Sequence, residues 1–301
     1  MTKSVKKDPP LEFVYRSDIF NNACKYDIPS FPMLVDFETT NNCNLTCLFC
    51  NTNIMKRKKG TMELSTFKKC VDEISEKSET KAIKFGLWGE PFLNKRFKEM
   101  LEYAKSKGLI IHAITNGFFL DRQDIWKNLD MLNISMQGLT KKEYQYLRNN
   151  KNYDQLVENI KFVMSHDERP YVNLSAWILD EMEEEVENFK KHWLEIVDSV
   201  GVGRTHVTRL HKEAPENIAK RQTAPFRSKP CNQVRTRLSV YWDGTVSPCC
   251  GDYETILNLG NVSEMSLKQI WDSEKINHLR KILATSDWSS IPFCSECNHR
   301  F

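Results

Sequence analysis

The stretch CNLTCLFC, residues 43–50, places three cysteines at the spacing CxxxCxxC. Three thiolates can bind three irons of a 4Fe–4S cluster and leave the fourth iron without a protein ligand. Such an open iron can bind and reduce a small molecule, whereas a site with four cysteines is coordinatively closed. The alternatives are a zinc site completed by a distant ligand, or cysteines with structural roles. The rest of the sequence has to distinguish these possibilities.

The composition is that of a folded protein without a membrane segment. Of the 301 residues, 40% are apolar and 28% are charged, which is typical of a soluble globular protein. No apolar run reaches the ~18–20 residues of a membrane span, and the N-terminal MTKSVKKDPP lacks the apolar core of a signal peptide. We therefore expect a cytoplasmic protein. The net charge of +3 indicates neither nucleic acid nor membrane as a partner, and ten clustered cysteines favour metal binding over disulfides.

Apolar stretches alternate with amphipathic ones up to about residue 210. The apolar stretches predict six strands, at 33–38, 81–91, 109–117, 130–138, 171–179 and 200–210. The amphipathic stretches predict helices from about residue 65, around 97–104, and at 140–148, 153–166 and 182–199. This alternation is typical of a parallel sheet covered by helices. Six units are too few for a closed eight-unit barrel, so we expect an α/β fold built as a partial, open (β/α)6 barrel.

The character of the chain changes near residue 212. A polar, proline-bearing segment predicts a linker over 212–230. Beyond it, Asp243 and Gly244 lie between two apolar strands and predict a tight hairpin, and one helix, broken or continuous, is expected around 266–284. We therefore divide the chain into four parts: a lead-in over 1–30, the partial barrel over 31–211, the linker over 212–230, and a hairpin-plus-helix module over 231–301.

A second set of cysteines lies in the C-terminal module. Its members are Cys231, Cys249, Cys294 and Cys297, with Cys250 as an adjacent extra. Four thiolates can hold either zinc or a complete 4Fe–4S cluster, and their spacing alone does not choose between the two. Adjacent side chains on an extended segment point to opposite faces, so Cys250 need not reach the metal that Cys249 binds.

With these two cysteine patterns in this order, the chain resembles the radical S-adenosylmethionine (SAM) superfamily over about residues 33–300. The residue before the third cysteine of the first pattern is usually aromatic in that family, and here it is Phe49. The C-terminal runs DGTVSPCC, LGNV, SLKQIW and CSEC resemble the short twitch form of the SPASM domain. The spacing of the second cysteine set is also similar to that of the aminocyclitol dehydrogenases of butirosin-type antibiotic pathways.

The resemblance implies two 4Fe–4S clusters. Cys43, Cys47 and Cys50 would hold the cluster whose open iron is chelated by SAM, and the four cysteines of the second set would hold an auxiliary cluster. In the family, reductive cleavage of SAM gives a 5′-deoxyadenosyl radical that removes hydrogen from a C–H bond, and a flavodoxin or ferredoxin is the usual electron donor. The basic run 56–59 is placed to meet a phosphate or an acidic donor, although most such runs are simply solvated.

The resemblance also implies SAM contacts. Gly89, Glu90 and Pro91 end the second predicted strand, where the family has a glycine-rich GGE turn. Trp88 replaces the first glycine of that motif, so an ordinary turn is the alternative. Asn116 ends the third strand, where ligands of parallel sheets bind, or serves only its own turn.

Further SAM contacts are expected from the fourth and fifth strands and from the helix between them. Ser135 and Gln137 match family positions that contact the ribose and the carboxylate of SAM. Arg148 resembles a family arginine that pairs with the carboxylate, a task that suits a guanidinium better than an ammonium. Its alternative is a solvated arginine at a helix end. Ser175 is a further candidate for the ribose hydroxyls.

Substrate contacts are expected on the sixth strand. Arg204 and His206 alternate there with other residues, and Thr208 continues the pattern. Polar side chains on one face would suit a hydroxylated or amine-bearing substrate, although a single histidine in a strand is often structural. Together with the resemblance, this leads us to expect a carbohydrate-like substrate: an aminoglycoside, an aminocyclitol or a sugar.

Two outcomes of hydrogen abstraction suit a single auxiliary cluster. In one, the cluster accepts an electron and an alcohol is oxidised to a ketone. In the other, a thiol returns hydrogen to the opposite face and the carbon is epimerised. Cys250 is surplus to the four ligands and is the candidate hydrogen-atom donor, as cysteines are in related antibiotic sugar epimerases; its alternative is a small buried apolar residue. We expect an epimerase or a dehydrogenase, with a slight preference for the epimerase.

Two other functions remain open. The first is maturation of a ribosomally made peptide, which forms a thioether, a crosslink or an epimerised residue. Such enzymes usually carry a peptide-clasping domain, for which we expect no room before residue 33. The second is a non-catalytic zinc-binding scaffold, which predicts zinc rather than iron in the purified protein.

Overall fold

A parallel sheet of six strands forms the first part of the fold. The computed structural model describes residues 6–10, 27–178, 183–204, 231–285, 288, 290–295 and 297. The six strands are β1 (Leu34–Phe37), β2 (Ala82–Phe85), β3 (Ile110–Thr115), β4 (Met131–Ser135), β5 (Tyr171–Ile178) and β6 (Ser199–Arg204). They lie in chain order, each parallel to the next. The predicted α/β fold with a partial (β/α)6 barrel is confirmed.

Helices connect these strands. They are α1 (Leu64–Lys77), α2 (Phe97–Ser106), α3 (Gln123–Trp126), α4 (Lys141–Arg148), α5 (Tyr153–Met164) and α6 (Glu183–Leu194). Helix α4 begins with a capping box, in which Thr140 and Glu143 satisfy each other's backbone N–H groups, and ends where Asn149 adopts a left-handed conformation. In α1, four apolar residues recur at helical spacing and are buried. These residues are Phe67, Cys70, Val71 and Ile74.

Helix α6 is shorter than predicted. The sequence predicted a helix over 182–199, whereas α6 ends at Leu194 and β6 begins at Ser199. Between them, the buried Asp198 carboxylate accepts a hydrogen bond from the Val172 N–H of β5 (2.7 Å) and pairs with Arg169 (2.5 Å). These tertiary contacts of Asp198 end the helical segment and begin the pairing of β6 with β5. The helical spacing of apolar residues in the sequence does not contain them.

The two faces of the sheet differ in polarity. On the helix-covered face, the rings of Phe37, Phe67 and Phe85 pack with centroids 5.0–6.0 Å apart. Successive residues of a strand point to opposite faces, so Asp36 and Lys84 project from the other face, which we call the inner face. Because both are buried, the inner face contains charged groups within the protein interior.

The C-terminal module extends the same sheet. Strand β7 (Arg237–Val240) pairs in parallel with β1, and β8 (Thr245–Ser247) and β9 (Gly260–Asn261) follow in antiparallel orientation. The predicted hairpin lies between β7 and β8, where Gly244 has a φ of +84°. The sheet order is therefore β6-β5-β4-β3-β2-β1-β7-β8-β9. The domain division at residue 231 stays a prediction, and the sheet runs across it.

Within its described residues, four helices complete the module. They are α7 (Gln233–Thr236), α8 (Leu267–Trp271), α9 (Glu274–Ala284) and α10 (Pro292–Ser295). The helix predicted around 266–284 is broken, because Ser273 has an extended conformation and its side chain caps α9. The lead-in touches the module, since Trp271 Nε1 donates to the Pro29 carbonyl (2.8 Å). The predicted linker, 212–230, lies outside the described residues. Among the described helices, none has the length and apolarity of a membrane span.

Candidate active site

The loop after β1 brings its three cysteines together. The Cys50 N–H donates to the Cys47 carbonyl (3.1 Å), and the Leu48 N–H donates to the Leu147 carbonyl of α4 (2.9 Å). Burial, together with the nearby Glu90, Cys47 and Cys50, raises the pKa of Cys43 to about 11. The three thiols therefore share one site at the carboxyl end of β1, where each must lose its proton before it can bind a metal.

Arg148, the last residue of α4, reaches into this loop. Its Nη1 lies 3.3 Å from the Cys47 Sγ, its Nε donates to the Met136 carbonyl (3.5 Å), and its Nη2 donates to the Ser135 carbonyl. Burial of the guanidinium opposes its charge, but the neighbouring Cys47 raises the pKa of Arg148 overall. Arg148 is therefore a buried cation that joins the end of β4 to the cysteine loop, and it is not the solvated arginine of the alternative.

The turn after β2 packs against the same loop. Gly89 has a φ of +77°, and a Cβ atom at this position would lie only 2.3 Å from the Thr40 carbonyl oxygen. Only glycine fits such a position. The Glu90 N–H donates to the Asn42 carbonyl (2.8 Å). The turn therefore supports the backbone that leads directly into Cys43.

The Glu90 carboxylate is buried and held by protein donors. It accepts hydrogen bonds from the Thr115 hydroxyl (2.8 Å), the Asn116 N–H (2.8 Å) and the Phe92 N–H (3.3 Å). Burial nevertheless raises the pKa of Glu90 to about 7. The Asn116 side chain donates to Asn44 Oδ1 in the cysteine loop (2.7 Å). Glu90 and Asn116 therefore tie β2, β3 and the cysteine loop together, and their contact with SAM stays a prediction.

The other SAM candidates lie near the same ends of the strands. Gln137 accepts a hydrogen bond from the Trp177 N–H (3.1 Å), and Ser175 donates to the Ile134 carbonyl (3.5 Å). Pro91 opens a single 3-10 turn, and Phe49 and Ser135 are half-buried. The Gln137 side chain therefore links the end of β4 to β5, whereas Ser135 lies at a partly exposed position.

The second cysteine set surrounds one cavity. This cavity is lined by Cys231, Cys249, Cys250, Cys294 and Cys297. The remaining lining carries no formal charge and is mostly apolar: Gln233, Val234, Leu257, Leu283 and Phe293. Burial raises the pKa of the Cys249 thiol well above its ordinary value, and the nearby Cys250, Cys231 and Cys297 raise it further. Three separate segments of the chain therefore converge on one thiol-lined, largely apolar cavity.

The donors at both sites fit iron–sulfur clusters. Both sites offer thiols, the ligands that iron–sulfur clusters take, and the apolar wall of the second cavity limits access of water. Each cysteine of a 4Fe–4S cluster binds a different iron, so the ligands are spread over several metal atoms. Among the described residues, no three His, Cys, Asp or Glu side chains are arranged as ligands of a single metal ion.

The inner face carries a charged cluster that the sequence analysis missed. Asp36 lies 2.8 Å from Lys84 and 3.7 Å from Arg237. These three residues are close enough to Cys250 for their charges to act on its thiol, and burial raises the pKa of Cys250. A signal was present, because Asp36 and Lys84 interrupt the otherwise apolar runs MLVDF and AIKF. Charged residues within a buried strand need partners, and here they find them across β2, β1 and β7.

His112 and Ser239 lie on the same face and are buried. Within the described part of the chain, neither ring nitrogen of His112 nor the Ser239 hydroxyl has a hydrogen-bond partner. Burial, helped by the charges of Lys84 and Arg237, lowers the pKa of His112 to about 3, so the imidazole is neutral near pH 7. The inner face therefore offers uncharged donors and acceptors beside its charged cluster.

Amide and hydroxyl groups continue this polar surface toward β6. The Asn173 side chain donates to Asn133 Oδ1 (2.8 Å), and the Ser199 hydroxyl donates to Asn173 Oδ1 (2.7 Å). These three residues form a hydrogen-bonded ladder across β4, β5 and β6. Polar side chains therefore occur on the inner face from β7 to β6.

Arg57 joins the cysteine loop to the C-terminal module. Its guanidinium makes two hydrogen bonds to the buried Glu38 carboxylate (3.1 and 2.7 Å). Its Nε donates to the Tyr253 carbonyl (2.6 Å), and its charge lies 4.6 Å from the centre of the Tyr241 ring. Burial raises the pKa of Glu38, and Arg57 opposes that rise. The basic run is therefore not simply solvated, because one of its members is a buried structural link.

The predicted substrate contacts fall largely beyond the described residues. Arg204 ends β6, but its side chain lies outside the described part of the structure. His206 and Thr208 lie outside it altogether. Their contact with substrate stays a prediction.

Two family models match the chain. Residues 37–192, more than half of the chain, match the Radical SAM superfamily. This chain belongs to the radical SAM superfamily. Residues 231–298 match SPASM, an iron–sulfur cluster-binding domain. The protein is accordingly a radical SAM enzyme that uses SAM, a SAM-binding 4Fe–4S cluster and an auxiliary iron–sulfur site, and the zinc-scaffold alternative is set aside.

Two curated relatives and one solved structure indicate the breadth of this similarity. This radical SAM enzyme is 23% identical over 314 residues to the tungsten-containing aldehyde ferredoxin oxidoreductase cofactor-modifying protein of Pyrococcus furiosus, covering 87% of this chain and 86% of the relative. It is 24% identical over 271 residues to the SAM-dependent 2-deoxy-scyllo-inosamine dehydrogenase of Niallia circulans, covering 88% and 92%. Streptococcus suis SuiB bound to precursor peptide SuiA aligns with a TM-score of 0.68 at 15% identity, covering 84% and 67%.

Proposed function

We propose that this radical SAM enzyme removes a hydrogen atom from a C–H bond of a carbohydrate-like substrate, namely an aminoglycoside, an aminocyclitol or a sugar. The product is an epimer or a ketone. The observation that carries this proposal is the buried polar inner face around Asp36, Lys84 and His112, with Cys250 beside it. The similarity to an aminocyclitol dehydrogenase supports the same substrate class.

The cysteines divide into two ligand sets in this proposal. Cys43, Cys47 and Cys50 hold the SAM-binding cluster, which supplies the electron that cleaves SAM into methionine and the hydrogen-abstracting radical. The auxiliary cluster is held by Cys231, Cys249, Cys294 and Cys297. Support comes from the shared loop of the first set and the common cavity of the second.

The residues around the cysteine loop orient SAM. The backbone of the Gly89 turn and the Ser135 hydroxyl offer polar groups at the carboxyl ends of β2 and β4, where ligands of parallel sheets bind. Arg148 keeps a positive charge beside Cys47 and draws the carboxylate of SAM toward that edge. Glu90, Gln137 and Asn116 act mainly by holding the strand ends and the loop in place.

The inner face selects a substrate rich in hydroxyl or amino groups. The ring nitrogens of His112 and the hydroxyl of Ser239 are buried polar groups, and leaving such a group unsatisfied costs about 1–3 kcal/mol. A hydroxylated substrate would satisfy them, whereas an apolar substrate would not. The charged groups of Asp36 and Lys84 would add an acceptor and a donor for alcohol or amine substituents.

Cys250 decides between the two outcomes. As the hydrogen-atom donor of an epimerase, it passes a hydrogen atom to the substrate radical and becomes a thiyl radical, which one electron and one proton from the reducing system return to the thiol. In a dehydrogenase, the substrate radical instead loses a proton, and its electron passes to an acceptor at the auxiliary site. The position of Cys250 beside both the auxiliary cavity and the inner face favours epimerisation slightly.

The test uses the anaerobically reconstituted enzyme with SAM and dithionite in deuterated water, with aminocyclitols, aminoglycosides and sugars as substrates, starting with 2-deoxy-scyllo-inosamine. An epimerase places one solvent deuterium on the inverted carbon, and Cys250→Ala keeps SAM cleavage but makes no epimer. A dehydrogenase gives a ketone without deuterium, and Cys250→Ala still makes it. If the wild type makes no 5′-deoxyadenosine, the radical chemistry is refuted. If it cleaves SAM but changes none of these compounds, the substrate class is wrong.

Peptide maturation is the second candidate, because the fold also aligns with SuiB bound to its peptide SuiA. The same reaction mixture distinguishes the two candidates when the carbohydrates are replaced by short peptides encoded beside the gene. A peptide that loses two hydrogens, or that gains one solvent deuterium at a Cα position, would favour maturation over the carbohydrate proposal.

A further inference from the structure

We propose that an acidic one-electron donor protein docks on an exposed surface formed by residues 53–59 of the cysteine loop and residues 255–258 of the C-terminal module. We call this surface the donor face. The proposal rests on the radical SAM activity, because that chemistry needs an electron from outside the chain. It goes beyond the activity by naming where that electron enters and which side chains recognise its carrier.

The donor face combines exposed lysines with exposed apolar side chains. Lys56, Lys58 and Lys59 are all exposed. Among the described residues, Ile256 and Ile54 are the two most exposed large apolar side chains, at 63% and 47% of full accessibility. Apolar groups within a charged rim are typical of protein–protein contact surfaces.

The side chain of Glu254, which directly precedes the second segment, links the two segments of the donor face. The Glu254 carboxylate accepts hydrogen bonds from the N–H groups of Lys56 (2.7 Å) and Arg57 (3.2 Å). Its charge is therefore directed at the backbone, toward the interior of the loop. Arg57 also turns inward, to Glu38. Lys56 and Lys58 remain exposed, so the donor face presents positive charge beside two isoleucines.

Besides Glu254, exposed carboxylates occur on two adjoining turns. Glu63 precedes α1 and Asp243 lies at the tip of the hairpin, and both are exposed. Neither belongs to the segments that form the donor face. An acidic partner would therefore meet the outward charges of Lys56 and Lys58 and would approach along a favourable field, whereas a basic partner would be repelled.

The donor face lies directly over the first cysteine site. Lys59 Nζ donates to the Thr52 carbonyl (3.2 Å) and to the Asn41 carbonyl (2.9 Å). The Thr52 hydroxyl in turn lies 2.9 Å from the Cys50 Sγ. One residue thus separates the lysine surface from a cysteine thiol, so a donor seated here would come close to the site that must be reduced.

The test compares two reductants on the complete reconstituted enzyme. SAM cleavage is driven either by a reduced acidic flavodoxin or by dithionite, at low and at high salt, and 5′-deoxyadenosine is measured. The variant is Lys56→Glu/Lys58→Glu, which leaves the hydrogen bonds of Lys59 in place. The matched control is Lys142→Glu/Lys161→Glu, which reverses two exposed lysines on α4 and α5.

We expect the flavodoxin-driven rate of the donor-face variant to fall by about tenfold or more at low salt, with no change in the dithionite-driven rate. The control should resemble the wild type with both reductants, and salt should slow the flavodoxin-driven rate of the wild type. A further variant, Ile256→Ser, should raise the KM for flavodoxin and leave dithionite-driven cleavage unaltered.

The outcomes distinguish a failure of the radical SAM activity from a failure of the donor-face proposal. If dithionite drives no SAM cleavage in the wild type, the radical SAM activity itself fails. If dithionite works but the donor-face variant and the control respond equally to flavodoxin, the donor face is refuted. It is likewise refuted if reduced flavodoxin delivers no electrons to the wild type, or does so without dependence on salt.

Discussion

The first cysteine site is one continuous loop of eight residues, whereas the second is assembled from three segments that are far apart in the chain. In the first, Cys47 lies beside the buried cation of Arg148, and hydrogen bonds from α4 hold the loop. In the second, the thiols face a largely apolar cavity. The comparison shows two ways of positioning ligands. Hydrogen bonds and charges of neighbouring residues hold the ligands of a short loop, whereas ligands far apart in the chain are brought together by the packing of the whole module.

The largest expected effect comes from removing one ligand at each site. Cys47→Ala should lower the iron content from about eight to about four atoms per chain, because the SAM-binding cluster is no longer held. SAM cleavage should fall by about 10³-fold or more, since the iron that binds SAM belongs to that cluster. Cys294→Ala should lower iron by a similar amount but keep dithionite-driven SAM cleavage within about tenfold of the wild type. Iron counting and 5′-deoxyadenosine release after anaerobic reconstitution measure both.

Cys70→Ala is the matched control for these two variants. Cys70 is a buried cysteine of α1 that packs in the core, away from both sites. Its removal should leave the iron content and SAM cleavage unaltered. If Cys47→Ala and Cys294→Ala lose SAM cleavage equally, the prediction that only the first site is required for SAM cleavage is wrong.

A smaller effect is expected from cutting the link between the two regions. Arg57→Gln leaves the fully buried Glu38 carboxylate without its cation, and removing one partner of a buried ion pair typically costs about 3–5 kcal/mol. We expect a loss of stability of that order in anaerobic urea denaturation. SAM cleavage should fall with it, because the cysteine loop loses its tie to Tyr253.

The double variant Glu38→Leu/Arg57→Met separates charge from packing. Replacing both members of a buried pair by apolar groups is often nearly neutral, so the double variant should recover at least half of the stability lost in Arg57→Gln. If it is as unstable as the single variant, the hydrogen bond to Tyr253 matters more than the ion pair.

The smallest expected effect concerns the inner face and depends on pH. His112 is neutral in the folded protein, with a pKa of about 3, whereas an unfolded histidine takes up a proton near pH 6.5. The unfolded state therefore binds more protons below pH 6.5, and stability falls as the pH is lowered. At pH 5.5 this amounts to about 1.4 kcal/mol.

Urea denaturation of the wild type and His112→Asn at pH 7.5 and 5.5 measures this contribution. The wild type should lose about 1.4 kcal/mol more than the variant between the two pH values. An equal loss would mean that His112 becomes protonated in the folded state, and that the inner face is more open to water than its burial indicates.

The local patterns of the chain predicted much of the fold. The six strands were expected because apolar runs recur between amphipathic stretches, and each run is paired as expected. The end of α6 was missed because Asp198 pairs with Arg169, a contact across 29 residues that no local pattern contains. The charged cluster of Asp36 and Lys84 was missed although each residue visibly interrupts an apolar run. Its significance depends on which strands are neighbours.

The sequence by itself determined the repeating strand–helix units and the three-cysteine motif, because both depend on residues only a few positions apart. Tertiary structure alone decided that β7 lies beside β1, which brings Arg237 to Asp36. It also decided that Arg57 turns inward to Glu38 while its lysine neighbours stay exposed. Such contacts join residues up to about two hundred positions apart, and they form only when the burial of the whole core selects one strand order from many.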